Sequence, residues 1–179
     1  MSKLRLATVW LDGCSGCHMS LLDLDEALLE LALLADLVYG PLVDATSFPE
    51  DVDVALVEGA VSSQDDLKKL LTVRARTRVL VALGDCAVTS NVPSMRNSIP
   101  VPRLLESIYG GPAETADLPR MAPPASGVPA LLPAARPLHD FVTVDVHLPG
   151  CPPAPTAILE VLASCLDGRA ARLTGVKFG

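Results

Sequence analysis

Aromatic side chains are scarce in this sequence: one Trp, two Tyr and three Phe among 179 residues. A core without them has to be filled by Leu, Val and Ala, and half of the residues are apolar. Long apolar runs are missing too. The longest, such as Leu31 to Ala35 and Val79 to Leu83, reach five residues, far short of the roughly 20 that span a bilayer. Basic charge is in deficit, with 14 Lys and Arg against 21 Asp and Glu for a net of −7. That argues against a general nucleic-acid binder, whose affinity comes from a basic surface. The deficit lies at the front: residues 1–60 carry 11 acids against Lys3 and Arg5, while residues 61–179 carry 12 bases against 10 acids. No apolar export segment or twin arginine is visible, since Met1-Ser2-Lys3 leads straight into a strand-like run, and a cytosolic location is expected. At this length folding buries roughly 70% of the chain's surface, so disulfide staples are not needed. Five cysteines, at 14, 17, 86, 151 and 165, then point to metal or redox chemistry in a reducing compartment.

Four short, β-rich apolar runs read as buried strands: Leu4 to Leu11, Asp53 to Val57, Arg78 to Leu83 and Phe141 to His147. Helical patterns alternate with them. The stripe Leu21, Leu24, Leu28, Leu31 and Ala35 predicts a helix from about Met19 to Leu37. Ser62 or Ser63, followed by two acids, starts another that runs to Leu71. Pro155 suits the first turn of a last helix that ends near Leu166. This alternation predicts an α/β fold, a single domain over 1–179 with an open parallel sheet covered by helices on both faces. Ten of the 16 prolines fall between Pro93 and Pro137. An irregular insert is expected over 93–137, apart from a short helix near Leu104 to Tyr109. Its apolar residues Met121, Val128, Leu131 and Leu132 suggest that it docks a partner.

The cysteines are informative by position. Three of the four strands run directly into one: Leu11 into Cys14 and Cys17, Leu83 into Cys86, His147 into Cys151. The fourth runs into Glu58. In an open parallel sheet the carboxyl ends of the strands share one edge, where ligands bind. Four thiolates gathered there make a zinc site or an iron–sulfur site. Structural zinc ligands usually come as two close pairs, and here only one pair is close, which favours a cluster. Small residues beside the cysteines (Gly13, Ser15, Gly16, Gly84, Ala87, Gly150) let backbone amides approach cluster sulfurs. Other readings stay open on the residues alone. Cys14-Ser15-Gly16-Cys17-His18 matches the c-type haem attachment pattern, and a strand leading into C-x-x-C and a helix is also how a thioredoxin-like dithiol of Cys14 and Cys17 looks. A flavin mononucleotide on such a sheet lacks a Ser/Thr-rich phosphate loop after Leu11.

Several residues have plainer readings. Cys165 shares the stripe Ile158, Val161, Leu162 and is expected to be a buried core thiol. His18 reads as a solvated or capping residue, or else as a partner of the cluster. His139 and His147 have no identifiable partner. Glu58 is either an acid favoured by the dipole of the helix that follows, or a proton relay or cluster contact among the cysteines.

In order along the chain, VWLDGCSGCHMSLLDLD, VEGAV, LGDCA and LPGCPP resemble the small subunit of nickel–iron hydrogenases. The cluster-bearing subunit of NADH–quinone oxidoreductase shares that architecture. The resemblance spans about residues 4–166 and implies a flavodoxin-like domain with one [4Fe–4S] cluster beside the nickel–iron centre of a separate large subunit. Cys14, Cys17, Cys86 and Cys151 match the ligands, and Glu58 matches the glutamate of the family's E-G motif near the subunit boundary. The quinone-reducing relatives usually carry adjacent cysteines at the first motif, so the C-x-x-C spacing resembles the hydrogenase branch. With no leader and no spare cysteine set, the chain is similar to small subunits of cytosolic NAD-reducing (bidirectional) hydrogenases. Such a subunit relays electrons between the large subunit and a diaphorase holding FMN and iron–sulfur clusters. NAD enters only through this resemblance.

Overall fold

A computed structural model describes residues 3–110, 122–124 and 126–166. The chain opens with strand β1 (Leu4–Trp10), helices α1 (Gly16–Leu22) and α2 (Ala27–Leu34), and strand β2 (Ala35–Tyr39). Strands β3 (Val52–Glu58) and β4 (Val61–Ser63) follow, then α3 (Gln64–Ala75), β5 (Thr77–Leu83) and α4 (Asp85–Thr89). After a 3-10 segment over Val92–Ser98 come α5 (Val101–Tyr109), β6 (Leu131–Arg136), β7 (Val146–Leu148) and α6 (Pro155–Leu166). Among the described residues, one sheet has the order β2-β1-β3-β5-β7, with every pair parallel. Counted within the sheet this is 2-1-3-4-5, the flavodoxin order, whose direction of winding reverses between β1 and β3. The expected α/β class and covered parallel sheet are both present.

Side chains alternate across the central strands and build a core on each face. Ala55 and Val57 of β3, with Leu80 and Ala82 of β5, pack under α3 through Leu70 and Val73. Val54 and Leu56, with Val81 and Leu83, pack on the other face against α1, α2 and α6 through Leu21, Leu31, Ile158 and Leu162. The start of α3 is fixed as the sequence suggests. Ser63 Oγ accepts the Asp66 N–H while Asp66 accepts from the Ser63 N–H, a reciprocal capping box.

Three expectations are corrected. The single helix over Met19 to Leu37 is two helices and a strand. Asp23, Asp25 and Glu26 crowd the end of α1, where negative charge opposes the helix dipole, and Asp25 takes a positive φ of 49°. Ala35–Tyr39 is then drawn into β2 by parallel pairing with Leu4, Arg5 and Leu6. The strand expected over Phe141 to His147 is only Val146–Leu148. Asp145 intercepts the ladder, exchanging its own N–H and Oδ2 with the carbonyl and N–H of Leu80. Phe141, Val142 and Val144 pack onto the core instead.

The proline-rich stretch is also more regular than predicted, holding the 3-10 segment, α5 and β6. Pro93 and Pro102 sit in first turns, where a missing N–H costs nothing. Pro133 lies in β6, which pairs antiparallel with β4 in a separate two-stranded ribbon that spares it a central position. Within the expected docking insert, Leu132 is core, Leu131 is half-buried and Val128 is exposed, while Met121 and the rest of 111–121 lie outside the described residues.

Candidate cofactor site at the carboxyl ends of the strands

The edge formed by the ends of β1, β3, β5 and β7 collects Cys14, Cys17, Glu58, Cys86 and Cys151 as the sequence suggests. Cys14 and Cys17 follow β1, with Cys17 buried inside α1 and Cys14 exposed before it. Cys86 is in the first turn of α4, half-buried, and Cys151 is exposed on the loop after β7. All five cysteines are free thiols, and Cys165 is a buried core residue of α6, as expected.

Electrostatics shows that four of the sulfurs share one environment. Burial pushes the Cys17 thiol far up, and Glu58, Cys86, Cys14 and Cys151 each push it further. Burial also raises Cys86, with Cys151, Cys14 and Glu58 adding to it and the Val92 backbone N–H opposing them through a hydrogen bond. Another N–H, that of Gly16, reaches Cys14 Sγ at 3.4 Å. Thiols so placed resist ionising together unless a positive centre neutralises them.

The space around the sulfurs is held open by backbone. Gly84 has φ 82° and ψ 165°, a region essentially reserved for glycine, and a methyl there would overlap Cys17 Sγ. Gly59, at φ 94°, lets β3 turn against the backbone of Leu11 and Asp12, which a Cβ would meet at 2.8 Å. An all-sulfur donor set over a glycine cradle fits a four-thiolate cofactor.

Glu58 and His18 form a pair. Glu58 is 1% exposed. Its Oε2 accepts the His18 backbone N–H at 3.0 Å and is also paired with His18 Nδ1. Ser15, before α1, has a φ of 67° and caps nothing with its side chain, so Glu58 supplies an acceptor to the first turn of α1 from across the sheet. The dipole reading of Glu58 therefore holds for α1, not for the helix that follows it. The solvated reading of His18 is corrected: its side chain is 14% exposed, and Nε2 is buried without a hydrogen-bond partner. His139 and His147 are not solitary either, since their rings meet edge to face at 5.8 Å.

Two further residues escape a reading of the sequence. Asp85, 4% exposed, accepts the Gly150 N–H through Oδ1 at 2.6 Å. Ser20, 3% exposed, donates its hydroxyl to the Pro153 carbonyl at 2.6 Å. Each spans more than 60 residues of sequence, so the only local signal is a polar residue inside an apolar segment. Beside the Cys14–Cys17 loop lies an apolar groove of about 400 Å³ bordered by Trp10, His18, Met19, Leu31 and Leu37.

A flavodoxin-ordered sheet with cysteines on three of its carboxyl-end loops defines an α/β domain with a thiol site at the sheet edge. The chain belongs to the family described as NADH ubiquinone oxidoreductase, 20 Kd subunit, which matches residues 14–165. The NAD-reducing hydrogenase HoxS subunit delta of Cupriavidus necator is 35% identical over 168 residues, covering 93% of this chain and 80% of that one. A subunit of the Vhu F420-non-reducing hydrogenase of Methanocaldococcus jannaschii is 33% identical over 170 residues, or 94% of this chain. That match spans 58% of the Vhu protein, as does the one to its Methanococcus voltae counterpart. In the crystal structure of an NAD+-reducing [NiFe]-hydrogenase in the H2-reduced state, one chain matches with a TM-score of 0.94 at 36% identity, covering 99% of this chain and 100% of that one. The resemblance to hydrogenase small subunits carried by the four motifs is borne out. Among the described residues no helix is long and apolar enough to cross a membrane.

Proposed function

We propose that the chain is the electron-relay small subunit of a cytoplasmic NAD-reducing nickel–iron hydrogenase. In this reading Cys14, Cys17, Cys86 and Cys151 hold one [4Fe–4S] cluster. Electrons pass between the nickel–iron centre of a large subunit and a diaphorase module that carries FMN and further clusters. The observation that carries the reading is the convergence of four sulfurs from three strand ends on one edge, where each of the other three raises the pKa of Cys17. When bound, such a cluster supplies one-electron transfer at a potential set by its hydrogen bonds and exposure. The chain's own groups supply the rest. The Gly16 and Val92 N–H groups donate to sulfur and stabilise the more negative state. Glu58 with His18 places a proton-exchanging pair beside Cys17.

Structural zinc usually draws its thiolates as two close pairs, and of the four cysteines only Cys14 and Cys17 are close in sequence, which supports the cluster. Single-domain organisation over 1–179 and partner docking through 93–137 belong to the same proposal. Exposed Met95 and Ile108 support the docking.

The test is iron and acid-labile sulfide analysis of the chain purified without oxygen. About four of each per chain is expected for one cubane, and zinc without sulfide would refute the reading. Cys86→Ser should lose or convert the cluster and abolish H2-driven NAD+ reduction. Glu58→Gln keeps an oxygen for the His18 N–H but removes the exchangeable charge. It should slow turnover by about 100-fold or more if the pair relays protons, with iron content unchanged; unchanged turnover would leave Glu58 a capping acid only.

A further inference from the structure

The backbone ladder between β5 and β7 does not stop at the last paired residues, Leu83 and Leu148. The Gly84 N–H donates to the Leu148 carbonyl at 2.8 Å, and the Asp85 N–H donates to the Gly150 carbonyl at 2.9 Å. The Asp85 carboxylate then takes the Gly150 N–H at 2.6 Å. Asp85 and Gly150 are thus clasped at two points, one through backbone and one through a buried side chain. Each stands immediately before a cysteine, Cys86 in one case and Cys151 in the other. Neither cysteine has a neighbouring cysteine on its own loop to share its anchoring. From the far side, Ser20 of α1 grips the Pro153 carbonyl, so the Cys151 loop is held both to the Cys86 loop and to the helix that carries Cys17.

We propose that Asp85 is the positioning residue of the thiol site, its carboxylate fixing the Cys151 loop to the Cys86 loop so that both sulfurs are set before a cofactor arrives, with Ser20 extending the tie to α1. The inference rests on the four-cysteine cofactor reading above. Asp85 acts through the backbone of Gly150, as outer residues of metal sites act through the ligands they orient. A buried acceptor aimed at a main-chain N–H needs its oxygen, and Asn keeps that oxygen while Ala does not.

The experiment compares Asp85→Ala, Asp85→Asn and Asp145→Ala with the parent chain in the assembled complex, and again as isolated metal-free chains. Asp145 is the control, a carboxylate that also ties β7 to β5 through the Leu80 N–H at 2.7 Å, but before β7 and away from the cysteine loops. Loss of iron to a ferrous chelator should be about 10- to 100-fold faster in Asp85→Ala. The paramagnetic resonance lines of its reduced cluster should also broaden. Asp85→Asn should stay within about threefold of the parent in that loss rate, and Asp145→Ala should lose stability without the change in chelation or line shape. Parent-like retention in Asp85→Ala, an Asn variant as labile as the Ala variant, or equal lability in Asp145→Ala would each overturn the proposal. Amide exchange at Gly150 in the metal-free chain provides a readout that needs no cluster. Asp85→Ala should accelerate it by about tenfold, and an unchanged rate would overturn the tie even if the parent chain took up no iron. Faster exchange in a chain that takes up no iron would instead preserve the tie and refute the cluster reading.

Discussion

Gly84→Ala concentrates the structural argument in one methyl group. Gly84 holds φ 82° and ψ 165°, and forcing a side chain into that region costs about 1–3 kcal/mol. The new Cβ would also overlap Cys17 Sγ, with the Gly150 carbonyl at 3.3 Å on another side, so the sulfur has to move aside. Overpacking of that kind adds roughly 1–3 kcal/mol, while the stiffer unfolded chain returns about 0.4–1 kcal/mol. The net cost is roughly 1–6 kcal/mol, set against a total stability of about 5–15 kcal/mol for a chain of this kind. Below the top of that range the variant should fold, with Cys17 displaced. Gly127 provides the control: its φ is 77° and, among the described residues, nothing lies within 4 Å of an added Cβ. Gly127→Ala carries the conformational cost without the collision, about 1 kcal/mol.

Urea unfolding of the metal-free chains, read as a shift in midpoint at constant slope, should rank Gly84→Ala well below Gly127→Ala. Iron and sulfide loading without oxygen should fail or fall steeply in Gly84→Ala and stay at the parent level in Gly127→Ala. If the two variants were equally stable and loaded equally, the close approach of β5 to Cys17 would not be what holds the site open, and the cradle argument would fail.

Two other consequences are easily checked. Ser63→Ala removes half of the capping box on α3, where Ser63 Oγ accepts the Asp66 N–H at 3.1 Å, and should cost about 1 kcal/mol in urea unfolding with no change in iron content; a lowered iron content would tie α3 to the site after all. Partial desolvation of an otherwise exposed ring, and after it His139, holds the His147 imidazole below its ordinary range. The unfolded chain therefore binds the extra proton first as the pH falls, so the contribution of this group to stability is present above about pH 6.5 and is lost below it. Following the His147 ring by NMR, His139→Gln should move its titration upward, and no movement would leave desolvation as the sole cause.

The central strands were legible because β3 and β5 are short, apolar and bounded by turn residues, and the start of α3 because Ser63 and Asp66 stand at capping-box spacing. Strand β2 was not. Ala35–Tyr39 is a sheet edge with two of its five residues exposed, and its Ala35 also continues the helical stripe of α2. Only the partnership with β1 settles its state. β6 was hidden by Pro133, which reads as a breaker until the ribbon with β4 gives it an edge. Local propensity was overruled in both places by pairing between distant segments.

The site divides in the same way. That each cysteine follows a strand is visible in the sequence, and the rule that strand ends share an edge gathers them. The polar ties among their loops follow from strand order instead. Because β3 lies beside β1, Glu58 faces the loop of Cys14 and Cys17 and can take the His18 N–H from 40 residues away. Because β7 lies beside β5, Asp85 faces Gly150 across 65 residues. Both carboxylates stand at the end of a strand or just past it, and each accepts a backbone N–H from the segment that follows the neighbouring strand. An acid at the carboxyl end of a buried strand is thus explained by its neighbour in the sheet rather than by its neighbours in sequence. The winding order 2-1-3-4-5 was the missing step between reading the cysteines and reading what holds them.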